Sequence, residues 1–322
     1  MEPTVRTEES CRFRPPLTGR QVTWEVTRFC DLTCDHCCSH SGPDVDRRRE
    51  SSVDVLIAAA TQLPDLGVTK VYFSGGEPLL KKGFLDLVEV IDTSAIQVNV
   101  ATNGYHLSDP VVARLRRAGI TKLSVSVDGG DAAHHDGLRR RAGAFARTLG
   151  GIERAVAAGL RVGVSVTVTP TNIGTLDTLV ASLIRVGASA VSFHSVLPLG
   201  RAAGHPELLL DVEGARMLDR TMRDLEARQD LPITIDHGFG PGGSRAERGC
   251  PAQTRLIHID SSGNVSVCSW LCKAQPDAFT LGNIKETPLR EIVGVQCRAL
   301  EALLQETDSC PLPMLTARGT PS

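Results

Sequence analysis

The sequence predicts an α/β protein built on a parallel sheet, with a small separate module at its C-terminal end. Three observations carry this. Strand-like runs alternate with helical periodicity from about residue 21 to residue 228. The connections between them are short, as in repeated β–α units. The ten cysteines avoid that middle region and gather toward the two ends of the chain.

The strand-like runs are Val22–Thr27, Val71–Ser74, Ile96–Thr102, Lys122–Asp128, Val162–Thr169 and Ala190–Val196. Several are nearly continuous in Val, Ile, Ser and Thr, as strands covered on both faces tend to be. In the first helical segment Val53, Leu56, Ile57, Ala60 and Leu63 share a face. In the fourth, Phe145, Leu149, Ile152 and Val156 do so. Ser52 and Thr171-Asn172 are suited to N-caps, and Gly67, Gly119, Gly159 and Gly187 each follow a helix. Six units fall short of a closed eight-fold barrel, which leaves an open barrel or a doubly wound sheet. In a barrel, the site lies at the C-terminal ends of the strands.

The chain divides into an N-terminal extension (1–20), the barrel (21–229), a glycine-rich linker (230–249) and a C-terminal module (250–322). In that module Leu256–Asp260 and Val265–Cys268 read as short strands around the turn Ser261-Ser262-Gly263-Asn264. Short helices follow from Leu289 and around Arg298–Leu304.

Composition narrows the function. At 322 residues, 41% hydrophobic and 22% charged, the chain can bury a large core. A net charge of -2 argues against nucleic acid as a partner. No apolar run approaches the roughly 20 residues of a membrane helix, and Met1–Arg20 lacks a signal region. A cytoplasmic location is expected, where clustered cysteines signal metal or redox chemistry.

The sharpest feature is Cys30-Asp-Leu-Thr-Cys34-Asp-His-Cys37, directly after the first strand. Three thiolates suit a four-iron cluster with one iron left open. A zinc loop, with His36 or Cys38 as fourth ligand, is the competing reading. The second strand ends in Ser74-Gly75-Gly76-Glu77-Pro78, where paired glycines let the backbone approach a ligand and Glu77 could accept from an ammonium. The third ends in Thr102-Asn103-Gly104 and the fourth in Ser124-Val125-Ser126-Val127-Asp128, so polar groups share one rim.

Together, the cysteine loop and the Gly-Gly-Glu-Pro motif resemble the radical S-adenosylmethionine (SAM) superfamily, from about Val22 to Pro311. The resemblance implies a partial (β/α)6 barrel in which Cys30, Cys34 and Cys37 hold a [4Fe-4S] cluster. Its open iron would bind the amino and carboxylate groups of SAM. Gly75, Gly76 and Glu77 would contact the methionyl amine, with Pro78 completing the motif and Asn103 on the same rim. His36 matches a position near the adenine. Ser126, Asp128 and Thr167 to Thr169 are looser candidates for ribose and carboxylate contacts. The implied chemistry is reductive cleavage of SAM to a 5′-deoxyadenosyl radical that abstracts hydrogen from an unactivated C–H bond. Flavodoxin or ferredoxin would supply the electron, and apolar strand residues would wall the site.

Cys250, twelve residues, Gly263, four residues and Cys268 resemble the opening of SPASM and twitch domains, which hold auxiliary iron–sulfur clusters. The five cysteines here are too few for a two-cluster SPASM domain, so a one-cluster, twitch-like module is implied. Cys250, Cys268 and Cys310 are its ligand candidates, with Cys272 or Cys297 as the fourth. The chain departs from the usual C-x2-C near the end, since Pro-Leu-Pro follows Cys310.

His194, Asp236 and His237 are candidate substrate contacts or bases. An unligated cysteine such as Cys272 or Cys297 could give a hydrogen atom. His134-His135 reads as a loop and Arg139–Arg141 as a solvated run. The expected substrate is a small natural-product precursor (sugar, aminocyclitol or nucleoside) undergoing dehydrogenation, epimerisation or a related radical step. The motivation is one auxiliary site and little chain before the first strand to hold a leader peptide. The alternative is a maturase of ribosomal peptides. A remote third reading is a non-catalytic zinc or Fe–S protein, which would release no 5′-deoxyadenosine.

Overall fold

Alternation shapes the strands more than continuous apolarity does. In the first strand, β1 (Arg20–Glu25), Val22 and Trp24 are fully buried while Thr23 and Glu25 are half-buried. The same period of two runs through β2 (Val68–Ser74), β4 (Lys122–Ser126), β5 (Arg161–Val168) and β6 (Ala190–Ser195). The molecule is a computed structural model that describes residues 19–120, 122–228, 231–236, 250, 252, 255–307 and 310–317. His237 and most of the glycine-rich stretch lie outside the described residues.

With β3 (Gln97–Thr102) and β7 (Ile233–Asp236), these strands pair side by side in chain order, all parallel. A doubly wound sheet would reverse its strand order at a switch point; none occurs. The barrel is also open, because the outer edge of β1 is taken by β8 (Leu256–Ile259). The strand β7 falls where the sequence suggested linker, and it sets Asp236 opposite His194 in register.

One face of the sheet is apolar. Val22, Trp24, Val71, Phe73, Val100, Val125, Val164 and Phe193 join one core with helix residues such as Leu56, Leu87, Leu115, Ile152 and Leu183. Trp24 stacks at 5.7 Å from Phe73, whose ring meets Phe84 edge-on at 5.3 Å. The other face carries Thr23, Glu25, Tyr72, Ser74, Asn99, Ser124, Ser126, Ser165, Thr167, Ser192 and His194. This corrects the expected apolar wall: the branched residues pack on the helices, and the barrel side is polar.

Two local expectations change. Ser52 caps the helix Val53–Ala60 through the Val55 N–H. Asn172 stands at the N-cap of the short helix Ile173–Thr175, but its side chain makes no capping bond; it instead bonds Thr169 N–H, Asp128 O and Thr167 O, tying the ends of β4 and β5 together. His134 and His135 lie on a helix, Ala132–Arg139, rather than a loop.

In the C-terminal module, β8 continues the sheet in parallel beside β1, and β9 (Asn264–Ser266) and β10 (Thr280–Asn283) follow antiparallel. Asp260 Oδ1 pins the turn by accepting from Ser262 N–H and Asn264 N–H at 2.8 and 2.9 Å.

Phe73→Ala empties the centre of the Trp24–Phe73–Phe84 stack. It should cost about 3–5 kcal/mol, read as a lowered denaturant midpoint at unchanged slope.

Candidate active site

The site is built on the segment that follows β1. Between β1 and the helix Val53–Ala60, the backbone makes only one isolated bridge, Phe29 to Gly42. Cys30, Cys34 and Cys37 pack together around buried Leu32. Burial pushes the Cys30 thiol up to about 12 and that of Cys34 to about 11. Such a group of thiols favours its anionic form only beside strong positive charge, so the donor set fits a cationic iron–sulfur core. Among the described residues, no three metal-binding side chains converge on one ion. A cluster that bonds each thiolate through a different iron does not ask them to.

Packing and charge together pin this segment. A Cβ on Gly75 would sit 2.3 Å from Thr27 O, and one on Gly76 would sit 2.1 Å from Phe29 O. The Gly76 and Glu77 N–H groups donate to those same carbonyls at 2.6 and 2.8 Å. Only glycine permits this approach, so the Gly-Gly pair is a cradle for the cysteine segment. Buried Glu50 accepts from Thr27, the Arg28 N–H and Lys81. Arg201 donates to Cys34 O at 2.7 Å and Ser41 O at 2.6 Å.

The arginine run is a clamp, which corrects its reading as a solvated stretch. Arg139 is buried, and its Nη2 lies 2.6 Å from Asp128 Oδ2. Arg140 pairs with Asp35 and Arg141 with Asp31, each at 2.8 Å. Asp31 and Asp35 alternate with the cysteines, so two arginines grip the cysteine loop from the segment after β4. Hydrophobic periodicity carries no sign of this; the available signal was an acid directly after each of two cysteines and a run of three arginines elsewhere.

Glu77 and Asp128 both serve as internal anchors of the barrel mouth. Glu77 is fully buried; it accepts from Thr102 Oγ1 at 2.9 Å, Asn103 N–H at 2.7 Å and Leu79 N–H at 3.1 Å. It therefore joins the ends of β2 and β3 and caps the turn begun by Pro78. Burial outweighs these donors and pushes its carboxyl up to about 7. Asp128 is also fully buried, bonded by Arg139 and by the Thr167 N–H at 2.7 Å. Burial would raise it, but the Arg139 guanidinium holds it down at about 2.

His36 Nε2 lies 3.5 Å from Asp128 Oδ2, while its buried Nδ1 has no partner. Burial pushes His36 down to about 4, so the ring is neutral near pH 7. Asn103 reaches Asp31 Oδ1 at 3.0 Å and lies 4.0 Å from Cys30 Sγ. Ser126, Thr167 and His194 stand half-buried on the polar face, Thr167 opposite His194 in register.

The C-terminal cysteines separate into two groups. Cys250, Cys268, Cys297 and Cys310 pack around one small core of Leu271, Phe279 and Leu300. Cys272 is buried outside that group, with Ser266 and Thr280 as its hydrogen-bond partners. A half-buried ion pair joins this module to the barrel mouth: Lys273 bonds Glu25, which also accepts from Ser39 Oγ at 3.1 Å. Burial would raise Glu25, but Lys273 and His258 hold its carboxyl down at about 2.

An open parallel barrel with packed cysteines at its mouth, joined to a second cysteine-bearing module, has the make-up of an iron–sulfur protein. Family comparison is specific. Residues 24–182 match the radical SAM superfamily and residues 250–311 the SPASM iron–sulfur cluster-binding domain. The chain belongs to the radical SAM superfamily and carries a C-terminal SPASM domain. Its first domain is of the kind that binds a [4Fe-4S] cluster with SAM, and the SPASM domain indicates an additional cluster.

Among its relatives is an AdoMet-dependent heme synthase of Nitratidesulfovibrio vulgaris, 28% identical over 85% of this chain and 78% of that protein. The mycofactocin maturase MftC of Mycolicibacterium smegmatis is 30% identical over 82% of this chain and 67% of its own. In structure, the chain resembles Streptococcus suis SuiB bound to S-adenosylmethionine. The TM-score is 0.72 at 17% identity, over 86% of this chain and 66% of SuiB. SuiB has also been solved with its precursor peptide SuiA.

Two outcomes are expected. Gly76→Ala, whose methyl meets backbone, should lower iron retained after reconstitution by more than half with helical circular dichroism preserved. In the apo-protein, Glu25 contributes stability above its ordinary value of 4.5, lost as pH falls toward about 2. Glu25→Gln should therefore flatten the loss of unfolding free energy between about pH 5 and pH 3.

Proposed function

We propose that this chain is a radical SAM maturase acting on a peptide. Cys30, Cys34 and Cys37 hold the SAM cluster, and Cys250, Cys268, Cys297 and Cys310 one auxiliary cluster. The observation that carries the assignment is the packing of these cysteines into two groups, with Cys272 apart. The peptide reading is supported by the likeness to MftC and SuiB over a small sugar, aminocyclitol or nucleoside. A second reading, a tetrapyrrole substrate, is favoured by the heme synthase match over 85% of the chain.

When bound, the cluster and SAM supply one-electron cleavage of the sulfonium and a carbon radical that removes a substrate hydrogen. The chain's residues position and bind. The Gly75-Gly76 backbone holds the cysteine segment. Glu77 and Asp128 lock the strand ends, and they are also the acids at the mouth that the resemblance assigns to SAM contacts. His36 Nδ1, a buried polar atom without a hydrogen-bond partner beside the cysteines, is available to a cofactor. Ser126, Thr167 and His194 offer hydrogen bonds to substrate. Dehydrogenation or epimerisation would depend on whether the auxiliary cluster takes a second electron.

The test is anaerobic reconstitution, iron counting and SAM cleavage under dithionite. About eight irons are expected, four per cluster. Cys30/Cys34/Cys37→Ala should lose about four and all 5′-deoxyadenosine. Cys297→Ala should lose the auxiliary irons while Cys272→Ala keeps them; the reverse would reassign the fourth ligand. A mass change in a peptide encoded beside the gene supports the peptide reading, and conversion of a porphyrin instead supports the second.

A further inference from the structure

Radical SAM chemistry at this loop needs an electron from outside the molecule, and the proposal below rests on the function proposed above. Cys30 and Cys34 are buried, at 7% and 9% exposure, so a donor protein cannot touch them. A short bonded route nevertheless connects Cys30 to the surface. Asn103 Nδ2 lies 4.0 Å from Cys30 Sγ, and Asn103 Oδ1 accepts from the Tyr105 N–H at 2.9 Å. The next residue, His106, bonds Asp31 Oδ2 at 2.9 Å, beside Cys30 in sequence. The loop after β3 thus has one end against a cysteine sulfur and the other at the surface.

The surface end is basic. The Tyr105 ring lies between two guanidinium groups, with Arg141 at 3.9 Å and Arg147 at 4.3 Å from its centroid. Open grooves flank the stack. One of about 590 Å³ is lined by Asp136, Gly137, Arg140 and Arg141; one of about 450 Å³ by Tyr105, Ser108, Asp109, Arg147 and Arg154.

Asp31 and Asp35 offset Arg141 and Arg140. Arg147 and Arg154 are different. They donate to the carbonyls of Tyr105 and Leu107, each at 2.8 Å, and meet no carboxylate within ion-pair distance among the described residues. Of the nearby acids, Asp136 already accepts from the Gly143 and Phe145 N–H groups. Asp109 and Glu153 are exposed. Arg147 and Arg154 are exposed and sit seven residues apart on the helix Ala144–Ala157, so they project from one face.

We propose that this face docks a small acidic one-electron carrier protein and that the loop Asn103–His106 is the electron's way in. The carrier gives up one electron and the cluster gains it; no bond forms, and the oxidised carrier leaves. Complementary charge steers such encounters and raises their rate by about 10–1,000-fold at low salt.

The experiment compares two reductants on the reconstituted protein: a reduced acidic flavodoxin and dithionite, which needs no docking. Arg147→Glu/Arg154→Glu should slow flavodoxin-driven 5′-deoxyadenosine formation at least about tenfold and flatten its dependence on salt. Its dithionite-driven rate should stay within about twofold. Arg147→Lys/Arg154→Lys, which keeps the charge, should stay near the unaltered flavodoxin-driven rate. An unchanged flavodoxin-driven rate in the Glu variant, or an equal slowing with both reductants, would overturn the docking face. No cleavage by the unaltered protein under dithionite would instead overturn the functional reading, and this proposal with it.

Discussion

The buried ion pair between Arg139 and Asp128 is the constraint on which the mouth of this barrel depends. The cysteine segment has almost no ladder of its own, so its shape is set by what grips it. The grips differ in strength. The Arg140 side chain is 58% exposed, and pairs of that kind contribute about 0–1 kcal/mol. Arg139 and Asp128 are both buried, and breaking such a pair by removing one partner costs about 3–5 kcal/mol. Asp128 also accepts from Thr167 N–H and approaches His36. One carboxylate therefore fixes β4, β5 and the cysteine loop together, while Arg140 and Arg141 register the loop against the same helix end.

Much of the fold was legible because its signals are local. Strand runs, helix faces and the glycines after helices follow from periodicity and backbone freedom, and the strands fall close to where they were expected. What misled was composition within strands: Ser and Thr among Val and Ile looked like full burial, but they form the polar side of a two-faced sheet. β7 was hidden because Ile233–Asp236 is too short to show a period. The cysteine and glycine motifs were legible as motifs. The partners of Glu77 and Asp128 were not, because Thr102, Asn103, Arg139 and Thr167 meet them only once the strands are in register.

The C-terminal module illustrates the same division. Its cysteines could be counted from the sequence, but their grouping is a matter of packing. Cys272 lies four residues beyond Cys268, on the helix Ser269–Ala274, and faces Ser266 and Thr280. Cys297 is far along the chain yet joins the small apolar core. The module is also continuous with the barrel. β8 extends the sheet from β1, and Lys273 reaches Glu25 at the end of that same strand. The two cysteine groups are thus linked by the β1–β8 pairing at one point and by a half-buried ion pair at another.

That arrangement bears on what the mouth can hold. Apolar walls would exclude water but give a substrate little to orient it. Here the apolar side chains lie on the helix side, and the barrel face carries Ser, Thr, Asn and His in rows of matched register. Such rows donate and accept at the spacing of a strand. An extended peptide presents amide groups at that same spacing, which a rigid aliphatic surface could not address. On the proposed reading, the polar face supplies orientation, and the neutral His36 leaves one buried nitrogen for the cofactor. Selectivity for one C–H bond then rests on hydrogen bonds that fix the substrate's position, more than on the shape of a hydrophobic pocket.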